Sequence, residues 1–316
     1  YEEYGPPSVL SIRQVEKPVP KDNEVLIRVD ATTVSRTDCA MLRAKPFIMR
    51  FFTGLLKPKR MILGTDFAGQ VEAIGPNVAS LKIGDRVFGF SDAGVSSQAQ
   101  YMTFPEDKGI STIPDNFTFQ QAAASLEGVH YAYNIINKVV LKDGQRVLVN
   151  GASGGIGTAT VQLLKYYGAH VTAVCNTKNI ELLKSIGADS VIDYTREDFT
   201  NSNEKYHFVF DTVGKSTFGL CKSLLEPGGV YISTELGPWS QNLFLALITS
   251  IAGGKKVAFP FPSDHRRSVL LIKKIIEEGK FTPVIDRTYS LGEIADAYRY
   301  VETGEKTGNV VITIGN

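Results

Sequence analysis

The sequence is poor in the residues that build metal sites and disulfide frameworks. Its 316 residues include three cysteines and four histidines. Cys39, Cys175 and Cys221 lie far apart and form no CxxC pair, which argues against a disulfide scaffold and predicts a reducing, cytoplasmic location. The histidines have no HExxH spacing, so the sequence predicts no metal site.

Long apolar runs and a strong net charge are also missing. The apolar stretch at residues 243–252 falls short of the roughly 18 residues that a membrane-spanning helix needs. Residues 1–7 do not resemble a signal peptide. The formal net charge is +1, and no aromatic RNA-binding motif occurs, so we expect no nucleic-acid partner.

The chain is long enough for about two domains, and its patterning changes near residue 120. Up to that point, short alternating segments separated by Gly and Pro predict a mostly antiparallel β domain. Beyond it, helical periodicity runs through residues 120–137 and predicts a helix. Buried strands then alternate with helices, which indicates a parallel sheet with right-handed crossovers. A terminal strand over residues 309–314 is expected to rejoin the first domain. The strands predicted for the parallel sheet are 146–150, 170–175, 191–192, 208–211 and 230–233.

A Gly-rich turn lies between the first of these strands and a helix. It reads Gly151-Ala152-Ser153-Gly154-Gly155-Ile156-Gly157. Backbone N–H groups can approach a pyrophosphate here because no Cβ obstructs them, and the helix N-terminus adds partial positive charge. The strand-turn-helix context therefore predicts that this turn binds a dinucleotide.

The same turn fits two dinucleotide patterns. Ala152, Gly154 and Gly157 match AxGxxG of two-domain dehydrogenases, whereas Gly151, Gly155 and Gly157 match GxxxGxG of short-chain dehydrogenases. About 145 residues precede the turn, and no tyrosine has a lysine four positions later, as the short-chain catalytic pair requires. The two-domain interpretation is therefore favoured.

The end of the second strand bears on the choice of cofactor. A site specific for NAD places a carboxylate there to bind the ribose 2′-hydroxyl. Here Asn176, Thr177 and Lys178 offer hydrogen-bond donors and a positive charge to a 2′-phosphate. The sequence thus predicts NADPH as the cofactor, although Lys178 could also be an ordinary solvated lysine.

With these motifs, the whole chain resembles the medium-chain dehydrogenase/reductase superfamily, in its zinc-free quinone oxidoreductase-like branch, which includes the zeta-crystallins. The match includes Gly64 to Gly69, Gly84 to Val87, the Gly-rich turn, Phe210 to Gly214 and Thr307 to Val311. The resemblance implies an α/β fold, with a GroES-like β-rich catalytic domain over residues 1–120 and 263–316. It also implies a Rossmann domain, a doubly wound parallel sheet binding NADP, over residues 121–262.

Departures from the zinc-dependent alcohol dehydrogenases concern the metal ligands. Those relatives carry Cys where this chain has Ser35, and His where it has Thr65. Their four-cysteine structural lobe would follow Gly89, and residues 91–100 contain no Cys. Asp38, Asp66 and Cys39 would make a poor zinc site.

The absence of zinc constrains the expected substrate. Zinc stabilises the alkoxide that forms when hydride reaches a carbonyl. A quinone or α,β-unsaturated carbonyl spreads that charge itself and needs only a hydrogen-bond donor. We therefore expect an enzyme, an oxidoreductase that reduces conjugated carbonyls or quinones with NADPH. The alternatives are a metal-free NADP-dependent alcohol dehydrogenase and a weakly active NADPH-binding scaffold protein.

The resemblance also suggests individual site residues. It places Asp38, with the hydroxyl of Ser35, near the nicotinamide, although Asp38 could instead cap a helix or pair with Arg36 or Arg43. Either His130 or Tyr131 could donate a proton, although both could equally be buried helix residues. The resemblance further brings Val213, Ser233, Leu236 and Asn309 to the cofactor.

The segment 41–61 interleaves basic and apolar residues. Phe47, Phe51 and Leu55 share one helical face, which predicts a lid over the substrate pocket or a patch that docks on anionic lipid. A helix packed on its domain with a solvated basic rim is the favoured alternative. A homodimer joined through Rossmann edge strands is expected only by analogy with relatives.

Overall fold

A computed structural model describes residues 1–47, 49–261 and 264–315 of the chain, without the side chain of Phe52. The backbone divides into two compact units. One, the β-rich unit, comprises Tyr1–Glu127, Asp264–Glu278 and Pro283–Asn316, and the other, the doubly wound unit, comprises Gly128–Ser263 and Gly279–Thr282. The domain limits at residues 120 and 262, set from the sequence, stay a prediction.

Thirteen strands and ten α-helices occur in the described part of the chain. The strands are β1 (Glu24–Val34), β2 (Asp66–Ile74), β3 (Arg86–Phe90), β4 (Tyr101–Pro105), β5 (Ile110–Thr112), β6 (Arg146–Asn150), β7 (His170–Cys175), β8 (Ser190–Asp193), β9 (Tyr206–Asp211), β10 (Leu225–Ser233), β11 (Lys256–Ala258), β12 (Ile285–Ser290) and β13 (Asn309–Thr313). The helices are α1 (Arg36–Arg43), α2 (Met49–Thr53), α3 (Phe119–Ala124), α4 (Glu127–Ile136), α5 (Gly155–Tyr166), α6 (Ile180–Ser185), α7 (Phe218–Cys221), α8 (Gln241–Ala252), α9 (His265–Glu277) and α10 (Ile294–Thr303).

The β-rich unit is organised around β1, which is central in its sheet. The strand order is β12-β13-β1-β2-β3-β5, and β4 pairs with the first half of β1. Val25, Ile27 and Val29 alternate along β1 and belong to the core, as the sequence pattern predicts. The terminal strand β13 pairs antiparallel with β1, with Thr32 opposite Ile312. The prediction that this strand rejoins the first sheet is confirmed.

The doubly wound unit contains a six-stranded parallel sheet in the order β11-β10-β9-β6-β7-β8. The strands β6, β7 and β9 are buried on both faces, which explains their continuous apolar runs. The direction of winding reverses between β6 and β9. In open sheets of this kind, ligands bind outside the carboxyl ends of the strands at this reversal. The predicted doubly wound parallel sheet is confirmed.

Two helix predictions need correction. The helical pattern over 120–137 forms two helices, because the Ser125 hydroxyl donates to the Gln121 carbonyl and the Ser125 N–H bonds to Ala122, which ends α3. In the segment 41–61, α2 has only five residues and ends at Thr53. Leu55 therefore lies outside the helix that was expected to carry it. Phe47 and Phe51 are each 65% exposed, whereas Met49 of α2 packs against the core of the β-rich unit, in agreement with the favoured alternative.

None of the described helices is both long and apolar enough to cross a membrane.

Candidate active site

The Gly-rich turn after β6 depends on glycine at two positions. Gly151 has φ +77°, and a Cβ there would lie 2.7 Å from the Cβ of Val213. A Cβ on Gly157 would lie 2.2 Å from the Gly151 carbonyl oxygen. The turn therefore folds back closely on the first turn of α5, a packing that leaves no room for side chains.

Between these two glycines the turn forms a cradle. Ser153, Gly154, Gly155 and Ile156 are partly exposed, while Ala152 is buried. Gly154 caps α5 with no side-chain hydrogen bond, and a Cβ on Gly154 would come no closer than 3.7 Å to the protein. The first N–H groups of α5 thus face a space that a Cβ would fill, and the helix dipole favours an anion there. A dinucleotide pyrophosphate fits these residues.

The carboxyl ends of β6 and β9 are tied together beside this cradle. The Asn150 side-chain amide donates to Asp211, with 3.1 Å between Nδ2 and Oδ1. Asp211 also accepts from the N–H groups of Val213, Gly214 and Ser216. Burial raises the pKa of Asp211, and these hydrogen bonds oppose the shift. The network fixes the chain at the point where winding reverses.

The end of β7 carries the three residues proposed to select the cofactor. Lys178 and Thr177 are exposed, and Asn176 accepts from the Asn179 amide at 2.7 Å. Sequence reasoning missed that Asp193, at the end of β8, lies alongside: the Thr177 hydroxyl donates to it, and Arg196 Nε lies 3.5 Å from its Oδ2.

Asp193 is therefore a carboxylate close to the region where none was expected. The Thr177 hydroxyl, with Thr195, holds its pKa below the usual value, so Asp193 is ionised. Arg196 offsets this charge and is largely exposed. Asp193 ends β8 and Arg196 follows it, and only the pairing of β8 with β7 brings them to Thr177.

Ser233 is the last residue of β10 and Leu236 follows it, at the carboxyl edge of the sheet where the sequence prediction located them. Ser233 is buried, and its hydroxyl accepts from the Glu235 N–H at 3.2 Å. The Leu236 carbonyl accepts from the Asn242 N–H at 3.1 Å. These bonds fix the turn after β10. A role of Ser233 or Leu236 in cofactor binding stays a prediction.

His130 and Tyr131 lie in the first half of α4. His130 is buried, and its Nε2 is 3.0 Å from the Asn134 amide, one helical turn later. The Tyr131 ring is partly exposed and lies edge-on to the His130 ring, with 5.5 Å between the centroids. These contacts agree with the alternative in which His130 is a buried helix residue. Proton donation by either residue stays a prediction.

Ser35 and Asp38 form the start of α1. The Asp38 carboxylate accepts from the N–H and hydroxyl of Ser35, at 2.9 and 2.8 Å, and the Asp38 N–H donates back to the hydroxyl. This is a capping box, so the capping role considered for Asp38 is present. Arg43 instead forms two 2.7 Å hydrogen bonds with Glu302. A catalytic role for Asp38 or Ser35 stays a prediction.

Next to this helix start lies a group of buried polar side chains. Asp66 accepts from the Thr33 N–H at 2.8 Å and from its hydroxyl at 2.6 Å, and burial raises its pKa to about 7. The Asp38 Oδ1 and the Thr65 hydroxyl are buried and have no hydrogen-bond partner in the described part of the protein. Buried polar atoms are rarely left unpaired, except where a ligand or water satisfies them.

Two further charged residues belong to the same unit, and no local sequence pattern indicated either. Glu127 is the first residue of α4, and burial raises its pKa while the hydroxyls of Thr37 and Ser35 oppose that shift. Lys306 lies in the turn before β13, and burial lowers its pKa while the charge of Glu127 opposes that shift. Because 179 residues separate the two, only the folded β-rich unit brings them together.

Asn309 begins β13. Its side-chain amide donates to the Val284 carbonyl at 3.1 Å, and its N–H donates to the same oxygen at 2.9 Å. The preceding Gly308 has φ +68°, and a Cβ there would lie 2.3 Å from that carbonyl. The turn therefore holds Asn309 in one orientation, with one of the two donors of its side-chain amide engaged.

Comparisons with known proteins agree with this arrangement. The description "Alcohol dehydrogenase GroES-like domain" matches residues 21–115, and "Zinc-binding dehydrogenase" matches residues 186–312. The chain is 33% identical to a 2-methylene-furan-3-one reductase of Solanum lycopersicum, over 99% of this chain and 77% of that protein. It is 31% identical to a chloroplastic NADPH-dependent alkenal/one oxidoreductase of Arabidopsis thaliana, over 99% and 78%.

Among solved structures, the quinone oxidoreductase from Coxiella burnetii has a TM-score of 0.88 and 26% identity, covering 100% of this chain and 98% of that one. The β-rich unit and the doubly wound unit with its Gly-rich turn define a two-domain nucleotide-dependent oxidoreductase. The chain belongs to the medium-chain dehydrogenase/reductase superfamily, in its zinc-free quinone oxidoreductase-like branch. Its cofactor class is NAD(P).

Proposed function

We propose that the protein reduces quinones or α,β-unsaturated carbonyl compounds with NADPH, without a catalytic metal. The observation that carries this proposal is the chemistry at Ser35 and Thr65, where zinc-dependent relatives carry Cys and His. The Ser35 hydroxyl is committed to Asp38, and neutral hydroxyls are not ligands that zinc prefers. The names of the tomato, Arabidopsis and Coxiella relatives also support an enone or quinone as substrate.

The chemistry explains why conjugation matters. NADPH supplies a hydride when it is bound, and the chain's own residues must position the acceptor and stabilise the charge that develops on its oxygen. A conjugated acceptor spreads that charge over several atoms. Where zinc-dependent relatives hold a metal, this chain has neutral hydroxyls, and a hydrogen bond from a neutral donor is far weaker assistance than a metal gives a saturated ketone.

The preference for NADPH over NADH is supported by the charges after β7 and β8. Lys178 and Arg196 are exposed cations, and the nearby Asp193 carboxylate is held by Thr177, Thr195 and Arg196. The 2′-phosphate of NADPH carries about two negative charges, which these cations can bind. NADH has a neutral 2′-hydroxyl at that position and gains no such attraction. The Asn176 amide, with its oxygen held by Asn179, can add a donor.

NADPH oxidation with a panel of acceptors tests the function. We expect turnover with a quinone and an enone, and little with saturated ketones of the same size. Turnover confined to saturated ketones or alcohols would instead identify a metal-free alcohol dehydrogenase. NADPH binding without turnover of any acceptor would favour a scaffold protein.

A homodimer, a cytoplasmic location and contact with anionic lipid belong to the same proposal as secondary points. The open edge of β11 and the exposed apolar face of α8, with Phe244, Leu247 and Ile251, support a dimer. Light scattering after gel filtration tests whether the protein is a dimer.

Exposed Phe47 and Phe51 beside Arg50 support contact with anionic lipid, and co-sedimentation with anionic vesicles tests it.

A further inference from the structure

The crossover from β8 to β9 contains no α-helix. Residues 194–205, all of them described, form only one turn of 3-10 helix, Phe199–Asn201, whereas α5 and α6 occupy the two preceding crossovers. Crossovers in parallel sheets usually contain a helix that covers one face of the sheet. Here the short connection leaves a cavity of about 380 Å³ within the doubly wound unit. That volume lies in the range of small-molecule sites.

The floor of this cavity is formed by the sheet. Thr172 on β7, Ile192 on β8 and Tyr206 on β9 line it. Thr172 is 2% exposed, and its hydroxyl oxygen has no hydrogen-bond partner in the part of the chain that the structure describes. Because buried polar atoms are nearly always paired, this oxygen points to a group held in the cavity. Burial raises the pKa of Tyr206, so its hydroxyl stays neutral and is a second possible donor.

The rim of the cavity is acidic. Glu197, Asp198 and Glu204 line it, and none of the described lysine, arginine or histidine residues does. The hydroxyl and the N–H of Thr200, at 2.7 and 2.9 Å, hold the pKa of Asp198 below its usual value. None of the three carboxylates forms an ion pair with a described residue. The rim therefore favours a ligand with a positive charge.

The spacing of these carboxylates favours an organic cation over a metal ion. Within the described residues, the three do not bring one oxygen each within 4.8 Å of one another, as a metal ion would require. An ammonium needs only one or two of them. Phe199 and Ile192 pack against the core of the unit and give the cavity an apolar wall, which suits the carbon skeleton of an amine.

The floor of the cavity lies away from the Gly-rich turn. Ser190 and Tyr206 line the cavity and are the first residues of β8 and β9, whereas the turn follows the last residue of β6. In a parallel sheet the first and last residues of the strands lie at opposite edges. The floor is therefore on the side of the sheet opposite to the position expected for the pyrophosphate.

We propose that this cavity binds a small organic amine that carries a hydroxyl at its far end. The ammonium lies at the three rim carboxylates, the apolar body contacts Phe199 and Ile192, and the hydroxyl bonds the unpaired hydroxyl of Thr172. This site goes beyond the proposed function and does not depend on it.

Calorimetric titration of the full chain with three compounds tests the ligand class. Tyramine has the ammonium, an aromatic body and the hydroxyl. Phenethylamine lacks the hydroxyl, and 3-(4-hydroxyphenyl)propionate has a carboxylate in place of the ammonium. We expect tyramine to bind about tenfold more tightly than either of the other two. If tyramine does not bind at about 10 mM, or if all three bind equally, the proposal is wrong.

Two variants connect binding to the named groups. Thr172→Val replaces the unpaired hydroxyl with a methyl group, so Tm should not fall. It should raise the Kd for tyramine about tenfold and leave the Kd for phenethylamine unchanged. Glu197→Gln/Glu204→Gln should raise the Kd of both amines about fivefold, whereas Glu181→Gln, on exposed α6, should match wild type. Tyramine binding at wild-type strength in Thr172→Val would overturn the proposal.

Competition with the cofactor separates this site from the cofactor site. Saturating NADPH should leave the Kd for tyramine within about twofold of its value without NADPH. If NADPH displaces tyramine, the cavity is part of the cofactor site and the proposal is wrong. A protein that binds tyramine as expected, yet turns over no quinone or enone, would overturn the proposed function and support the amine site.

Discussion

Asn150 and Asp211 end two neighbouring strands, β6 and β9, and a 3.1 Å hydrogen bond from the Asn150 amide to the Asp211 carboxylate joins them where the winding of the sheet reverses. The Thr212 hydroxyl reinforces the junction by donating to the Asn150 carbonyl at 2.9 Å. The Gly-rich turn starts at the residue after Asn150, so the geometry of the cradle that we expect to hold the pyrophosphate depends on this pair.

Replacing Asp211 should destabilise the protein. Asp211→Ala leaves the N–H groups of Gly214 and Ser216 and the Tyr231 hydroxyl without their acceptor. Buried donors left unsatisfied cost about 1–3 kcal/mol each, so we expect a loss of about 3 kcal/mol or more. Urea denaturation measures it, with the exposed Asp107→Ala as control. A loss below about 1 kcal/mol would show that the network does not stabilise the fold.

Alanine at Gly154 and at Gly157 should have opposite consequences. At Gly157 the new Cβ meets backbone at 2.2 Å, so Gly157→Ala should lower Tm and distort the turn. At Gly154 the nearest atom is 3.7 Å away, so Gly154→Ala should keep the wild-type Tm. It should nevertheless weaken NADPH binding about tenfold or more, because the Cβ points into the cradle. Calorimetric melting and titration with NADPH check both, and unchanged affinity in Gly154→Ala would mean that no phosphate occupies this space.

The strand-turn-helix of the cofactor site is predictable from sequence because its parts are local. The apolar run of β6, the glycines and the amphipathic α5 are consecutive, and each requires only its neighbours. Asp193 and Arg196 are not predictable in this way, because they reach Thr177 through the pairing of β8 with β7.

The same limit applies to the β-rich unit. Ser35 and Asp38 form a capping box, which their spacing of three residues allows. Capping was therefore one role that could be considered for Asp38 from the sequence. Glu127 and Lys306 have no sequence-local partner, and their relation follows from tertiary packing alone. The single helix expected over 120–137 was wrong for a short-range reason, the bond from Ser125 to Gln121 that ends α3.

Removing the two exposed cations near the 2′-phosphate position should change cofactor preference. In Lys178→Ala/Arg196→Ala we expect the Kd for NADPH to rise about tenfold or more, while the Kd for NADH stays within about twofold. Each charge is exposed, so the loss should shrink at high salt. Lys184→Ala, which removes an exposed lysine paired with Glu181, is the matched control. Equal weakening of NADPH and NADH would show that these residues do not read the 2′-phosphate.

The free energy of unfolding should fall as the pH rises from about 4 to about 7, because of Asp66. Its pKa rises from 3.8 unfolded to about 7 folded, so in this window the unfolded state binds fewer protons than the folded state. The stabilisation is complete below the unfolded pKa and is lost as pH rises through the folded value. Asp66→Asn cannot titrate and should flatten this part of the Tm profile. If Asp66→Asn keeps the wild-type slope of Tm against pH, other groups cause the pH dependence of stability.

The central claim is tested most directly by the ratio of kcat/KM for an enone to that for its saturated analogue, measured as NADPH oxidation with 3-buten-2-one and 2-butanone. Because the residues around Ser35 and Thr65 give an isolated carbonyl no metal to bind, we expect the enone to be favoured by about 100-fold or more, equivalent to about 2.7 kcal/mol in the barrier. Equal values, or a preference for 2-butanone, would contradict the account.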